Sequence, residues 1–120
     1  MTIELSNQLG KVFVSNEVIA NVAGLAAMEV FGLVGMASRK QLKDGITELL
    51  RRENLSKGIE VHNDKDEVLI DMYIIVSYGT KISEVAHNAQ QKVIYTLENT
   101  IGIKVSKVNV IVQGVRVSQA

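Results

Sequence analysis

The chain has 120 residues, 47% of them hydrophobic, with no cysteine, no proline and a formal net charge of zero. A chain of this length buries about two-thirds of its unfolded surface without disulfides, so we predict one domain over residues 1–120 with a core over about 9–117. Balanced charge argues against nonspecific nucleic-acid binding, and no apolar run approaches the roughly 20 residues of a spanning helix, so we expect neither an export signal nor a membrane span.

The first elements are predicted from a change of period after Ser15. Residues Gly10–Val14 alternate and indicate a short strand. Ser15 is a suitable N-cap for a following helix, and Glu17 places a carboxylate in the first turn. Small residues keep this helix slim enough for close packing. We predict that its buried stripe consists of Val18, Ile19, Val22, Leu25 and Ala26.

The middle of the chain is predicted as a connection, a helix and a hairpin. Residues Phe31–Ala37 are apolar but twice interrupted by glycine, which favours an extended connection or a small strand. Residues Arg39–Asn54 show apolar residues at helical spacing. Residues Gly58–His62 alternate, and the polar turn Asn63–Asp66 leads into the next strand.

The last part, Val68–Val117, is a β-α-β unit around which the domain is organised. Its first strand is apolar on both faces and is therefore predicted to be central. A helix of about five turns follows, with Thr80 as N-cap and Gly102 as its stop. In the final strand the inward valines change parity across Gly114, which predicts a bulge.

These elements predict an α+β fold in the order β-α-α-β-β-α-β, with a small mixed sheet and helices packed on it. Gly32-Leu33-Val34-Gly35 lies between two predicted helices, as does the GXXG loop of KH nucleic-acid-binding modules. Leu33 and Val34 would present two apolar side chains to a phosphate backbone, so a packed apolar connection is favoured. The four residues are retained as a candidate loop contact.

A second candidate contact is Tyr78-Gly79-Thr80-Lys81, which joins a strand to a helix N-terminus. Free N–H groups, the helix dipole and Lys81 favour an anion or a partner there. The spacing of a P-loop is missing, so a turn with a helix cap is the favoured interpretation.

No residue is predicted to be catalytic, to bind a cofactor or to bind a metal. His62 and His87 have no Cys, Asp or Glu at metal-ligand spacing on a shared helix, and each is interpreted as a surface residue. Ser77 and Ser83 lack a base in register. The acidic residues near the hairpin turn lack the glycine and terminal glutamate of a calcium loop. They are Asp64, Asp66 and Glu67.

The chain resembles the alkaline shock protein family of Gram-positive bacteria, and within it the short members. Four stretches carry the resemblance, and together they span about nine tenths of the chain. They are Gly10–Ala20, Ala23–Ala27, Phe31–Met36 and the region from Tyr78 to Val110, with Tyr78-Gly79-Thr80-Lys81-Ile82, Thr100-Ile101-Gly102 and Val108-Asn109-Val110.

The resemblance implies a cytoplasmic, non-enzymatic interaction or scaffold protein linked to the envelope stress response or to membrane-lipid homeostasis. It also implies a protein partner, held at the membrane in some relatives, and no catalytic residues or cofactor. We expect a weak homo-oligomer and no direct membrane insertion. The alternatives are a KH-like nucleic-acid-binding module and a sensor of a small ligand or lipid head group.

Overall fold

The computed structural model describes residues 2–38, 50, 52–64 and 67–117, and it has the predicted α+β class. The predicted element order is wrong, because the observed order is β-β-α-β-β-β-α-β. The predicted helix Arg39–Asn54 lies mostly outside the described residues, and its last residues belong to a 3₁₀ segment. The elements are β1 (Thr2–Asn7), β2 (Gly10–Ser15), α1 (Asn16–Ala27), β3 (Leu33–Met36), the 3₁₀ segment Arg52–Gly58, β4 (Ile59–Asp64), β5 (Glu67–Ser77), α2 (Ile82–Thr100) and β6 (Val105–Arg116).

The strand missed by the sequence analysis is β1, which pairs with β2 in an antiparallel hairpin. The Asn7 side-chain oxygen accepts hydrogen bonds from the backbone N–H groups of Leu9 at 2.7 Å and Gly10 at 3.1 Å. Gly10 has a positive φ of 145° in this turn. A side-chain-capped turn of this kind brings the two strands together. The strand predicted at Gly10–Val14 is confirmed by β2.

The main sheet is built around β5, as predicted. Strand β6 pairs with it in parallel from Val68 to Ser77. Strands β4 and β3 both pair with the edge of β5 opposite β6. Strand β4 pairs antiparallel with residues 67–72, and β3 pairs antiparallel with residues 74–76. Five alternating residues on one face of β5 are all buried. They are Val68, Ile70, Met72, Ile74 and Val76.

Helix α1 begins where predicted, and Ile19 and Ala26 of the predicted stripe are buried. The Ser15 hydroxyl accepts a 3.2 Å hydrogen bond from the N–H of Val18, which confirms the N-cap. The predicted buried stripe is wrong at Val18 and Leu25, which are 47% and 41% exposed. The small-residue face packs inward instead, and a Cβ at Gly24 would lie 3.0 Å from the Cβ of Leu55. Close approach to the 3₁₀ segment thus fixes the rotation of the helix.

Helix α2 buries Val85, Ala89, Val93 and Leu97 and ends before Gly102, which has a φ of +86°. The predicted N-cap at Thr80 is wrong. The cap residue is Lys81, without a side-chain cap, because the Thr80 hydroxyl donates a 2.7 Å hydrogen bond to the carbonyl of Ser77.

Strand β6 contains the predicted bulge. Val112 lies opposite Ile74 but Gly114 lies opposite Ile75, so one extra residue is inserted between them. Val115 therefore lies opposite the inward-facing Val76. A second register shift, missed by the sequence analysis, separates Val105 from residue 107. Within the described ranges, no helix combines the length and hydrophobicity needed to cross a membrane.

Candidate functional site

The two candidate segments predicted separately from the sequence meet at one end of the main sheet. The backbone N–H of Ser77 donates a 2.8 Å hydrogen bond to the carbonyl oxygen of Gly32. A Cβ at Gly32 would lie 2.8 Å from Cγ2 of Val85 and 3.2 Å from Cγ2 of Thr80. The connection before β3 is therefore packed directly on the turn that leads into α2.

The turn is also fixed from its other side. The backbone N–H of Tyr78 donates a 2.8 Å hydrogen bond to the carbonyl oxygen of Arg116 at the end of β6. Inside the turn, the Thr80 hydroxyl binds the Ser77 carbonyl at 2.7 Å. Because Ser77 and Tyr78 are each hydrogen-bonded to another segment, the side chains of this turn are presented from a defined backbone.

Apolar side chains project from this end into solvent. Phe31 is 91% exposed, Tyr78 is 73% exposed and Ile82 is 41% exposed. Phe31 precedes Gly32 and Tyr78 follows Ser77, so the hydrogen bond between Gly32 and Ser77 holds their backbones side by side. We call these three exposed residues the Phe31–Tyr78 surface.

The four residues Gly32–Gly35 do not form a loop that clamps a phosphate backbone. Leu33 is buried, and Leu33 to Met36 form β3, paired with β5. The structure confirms the small strand that the sequence analysis considered. The geometric basis of the KH-like interpretation is therefore missing at these residues.

The charge at the Tyr78–Lys81 turn is already balanced by a neighbour. The Lys81 Nζ lies 3.8 Å from Oε1 of Glu84, and both side chains are mostly exposed. Glu84 stands in the first turn of α2, where its carboxylate interacts favourably with the helix dipole. An incoming anion would compete with this carboxylate, so the turn is better suited to apolar contacts than to a phosphate.

A polar cluster on the outer face of the sheet was missed by the sequence analysis. His62 Nε2 lies 3.0 Å from Oδ2 of Asp71 and 3.2 Å from Oε1 of Glu60. The amide of Asn109 donates a 2.9 Å hydrogen bond to Oδ1 of the same aspartate. The sequence feature that could have predicted this cluster is the alternation of Glu60 and His62 on one face of a hairpin strand. The partner strand of a hairpin places a third side chain beside such a pair.

The remaining polar residues singled out earlier are dispersed. His87 is exposed on α2 and is not part of this cluster. Of the acidic residues near the hairpin turn, Asp66 lies outside the described residues, and Glu67 pairs with residue 64 at the start of β5.

Comparison with known proteins identifies relatives over nearly the whole chain. The model of the alkaline shock protein family, described as having a cell envelope-related function, matches residues 4–117. The chain is 60% identical to the uncharacterized protein YloU of Bacillus subtilis (strain 168), covering 98% of each chain. It is 43% identical to the uncharacterized protein Spy1614 of Streptococcus pyogenes serotype M6, covering 98% of this chain and 97% of that protein.

Among solved structures, a MamM-CTD chain is similar with a TM-score of 0.50 and 16% sequence identity, covering 83% of this chain and 98% of that one. At this identity the similarity concerns the fold alone.

Proposed function

Because the chain belongs to the alkaline shock protein family, which has a cell envelope-related function, we propose that it is a non-enzymatic interaction or scaffold protein. It works in the cytoplasm, in envelope stress or membrane-lipid homeostasis, and binds a protein partner.

The observation that carries this proposal is the Phe31–Tyr78 surface. Aromatic side chains are enriched in protein interfaces, where they bury a large area at a low cost in conformational entropy. Phe31 and Tyr78 are 91% and 73% exposed, although burial of such rings is favourable. Their backbones are held by hydrogen bonds from Ser77 to Gly32 and from Tyr78 to Arg116. A surface ordered in advance loses less entropy when a partner binds.

We also propose that the protein reaches the membrane through this partner. The net charge is zero, with 13 basic and 13 acidic residues, so attraction to an anionic lipid surface is weak. A protein partner at the membrane would provide the attachment that direct attraction to lipid does not.

Site-specific photo-crosslinking tests the proposal. A photoreactive residue placed at Phe31 or Tyr78 is expected to give a discrete protein adduct in cell extract that retains membranes. Substitution of the other aromatic residue by serine should abolish the adduct. The matched control is Tyr95→Ser, which removes a tyrosine that is 65% exposed on α2, away from the surface.

Two results would contradict the proposal. If the Phe31→Ser and Tyr78→Ser variants form as much adduct as the protein without the serine substitution, this surface is not the contact. Absence of any protein adduct, together with a nucleic-acid adduct from either position, would favour the KH-like alternative over a protein partner.

A further inference from the structure

We propose that Glu60, His62 and Asp71 form a binding site for a divalent first-row transition metal ion on the outer face of the main sheet. The inference is independent of the Phe31–Tyr78 surface. Glu60 and His62 alternate along β4, and Asp71 lies directly opposite Glu60 on β5. Ile70 and Met72, on either side of Asp71, and Ile59, next to Glu60, are buried, so the three polar side chains share the face that points away from the core.

Two of the three pairs of ligand atoms already stand at coordination spacing. His62 Nε2 is 3.0 Å from Asp71 Oδ2 and 3.2 Å from Glu60 Oε1, and all three atoms lie within 4.8 Å of one another. Two ligand atoms that are each about 2.1 Å from one ion stand about 3.0–3.4 Å apart in octahedral or tetrahedral geometry. An ion bound to His62 and either carboxylate therefore requires little movement of these side chains, and the third ligand atom lies within 4.8 Å of both.

Both carboxylates of the cluster converge on one nitrogen of His62. One imidazole nitrogen carries at most one proton, yet Nε2 of His62 faces oxygen atoms of both Asp71 and Glu60. A cation at the centre accepts a lone pair from each of the three atoms. The neutral imidazole then carries its single proton on Nδ1, and the lone pair of Nε2 binds the ion.

Asn109 supports the site from the neighbouring strand. It lies opposite Asp71 in the parallel pair of β5 and β6, and its amide donates a 2.9 Å hydrogen bond to Oδ1. This contact orients the carboxylate and leaves Oδ2 directed at His62. Such orienting hydrogen bonds commonly accompany metal ligands and raise metal affinity.

The ligand set selects the class of ion. One imidazole and two carboxylates suit zinc, manganese, iron, cobalt or nickel, whereas calcium and magnesium prefer oxygen ligands only. With a neutral imidazole the set carries two negative charges, which balance a divalent ion. The side chains of Glu60 and His62 are each 42% exposed, so further coordination positions are open to water.

Isothermal titration of the untagged protein with zinc chloride, at neutral pH in a non-chelating buffer, tests the site. We expect one ion per chain and affinity lowered about tenfold or more by His62→Gln, which keeps a polar group but removes the imidazole. Asn109→Ala leaves all three ligands in place and should weaken binding by about tenfold. His87→Ala, on α2, should bind as the wild type does.

Far-UV circular dichroism and melting without metal establish that each variant is folded. If His62→Gln does not fold, Asn109→Ala still tests the site. Zinc should also raise the melting temperature of the wild type but not that of His62→Gln. The proposal is overturned if the wild type gives no binding heat and no melting shift, or if wild type, His62→Gln and Asn109→Ala bind zinc equally.

Discussion

The carbonyl oxygen of Gly32 accepts a 2.8 Å hydrogen bond from the backbone N–H of Ser77, although the two residues are distant in sequence. This bond joins the connection before β3 to the turn before α2. It makes one surface from two segments that the sequence analysis treated as separate candidates.

The first prediction concerns the close packing at Gly32. Its φ is +92°, and an added Cβ would lie 2.8 Å from Cγ2 of Val85. Gly32→Ala combines backbone strain with a steric clash, so we expect a loss of about 2–4 kcal/mol in the free energy of unfolding. Urea denaturation measures this loss.

Gly79→Ala is the matched control for this measurement. Gly79 has a nearly identical φ of +93°, but a Cβ there would meet no atom within 4 Å. Gly79→Ala should therefore lose only the contribution of backbone strain, about 1–2 kcal/mol, from the free energy of unfolding. Equal losses for the two variants would mean that the contact between Gly32 and α2 is not tight.

The second prediction concerns the N-terminus of α1. The Ser15 hydroxyl accepts a hydrogen bond from the N–H of Val18, so Ser15→Ala should lower the free energy of unfolding by about 1 kcal/mol. Ser83→Ala, at an exposed site in the first turn of α2, should change it by less than about 0.5 kcal/mol. Thermal melting of both variants checks the difference. A larger loss for Ser83→Ala would contradict the cap assignment.

The third prediction is weak self-association. Among the described residues, β6 pairs only with β5, and β2 pairs only with β1, so each has one edge that no other strand covers and where a second copy can pair. We expect a homodimer at tens of micromolar by light scattering. A monomer mass at that concentration would refute this prediction.

Lysine substitutions decide which edge is used, because a lysine on an edge strand disfavours pairing with another strand. Val115 on β6 and Phe13 on β2 are 47% and 62% exposed, so a lysine at either position can keep its ammonium group in water. Dissociation of the dimer by Val115→Lys but not by Phe13→Lys would identify β6.

The fourth prediction concerns lipid binding. Residues 39–57 carry six basic and three acidic residues, an excess of three. At about 1 kcal/mol per basic residue, this excess gives only marginal attraction to an anionic surface, and salt screens it further. Of the apolar residues in and near this segment, Leu50 and Leu55 are buried in the core.

Flotation of the purified protein with anionic liposomes at physiological salt measures this attraction. We expect the protein to remain at the bottom of the gradient. Strong co-flotation without a partner would contradict the proposal that the membrane contact is indirect.

The sequence by itself determined the unit of β5, α2 and β6. Side-chain periods of two and of 3.6 residues are local properties of a strand and a helix, so they can be read without knowing what packs against them. The same local signal located the bulge at Gly114. The exposure of Val18 and Leu25 on α1 could not be predicted this way, because the rotation of the helix depends on the approach of Leu55 from a distant segment.

Only the tertiary structure decided which strands pair and in what register. The predicted turn at residues 63–66 would place His62 opposite Glu67, but β4 continues to residue 64, and His62 lies opposite Leu69. This register places Glu60 opposite Asp71 and brings the proposed metal ligands together. A shift of two residues preserves every buried face, so the hydrophobic pattern cannot distinguish the two registers, whereas the turn and the packing of the whole sheet can.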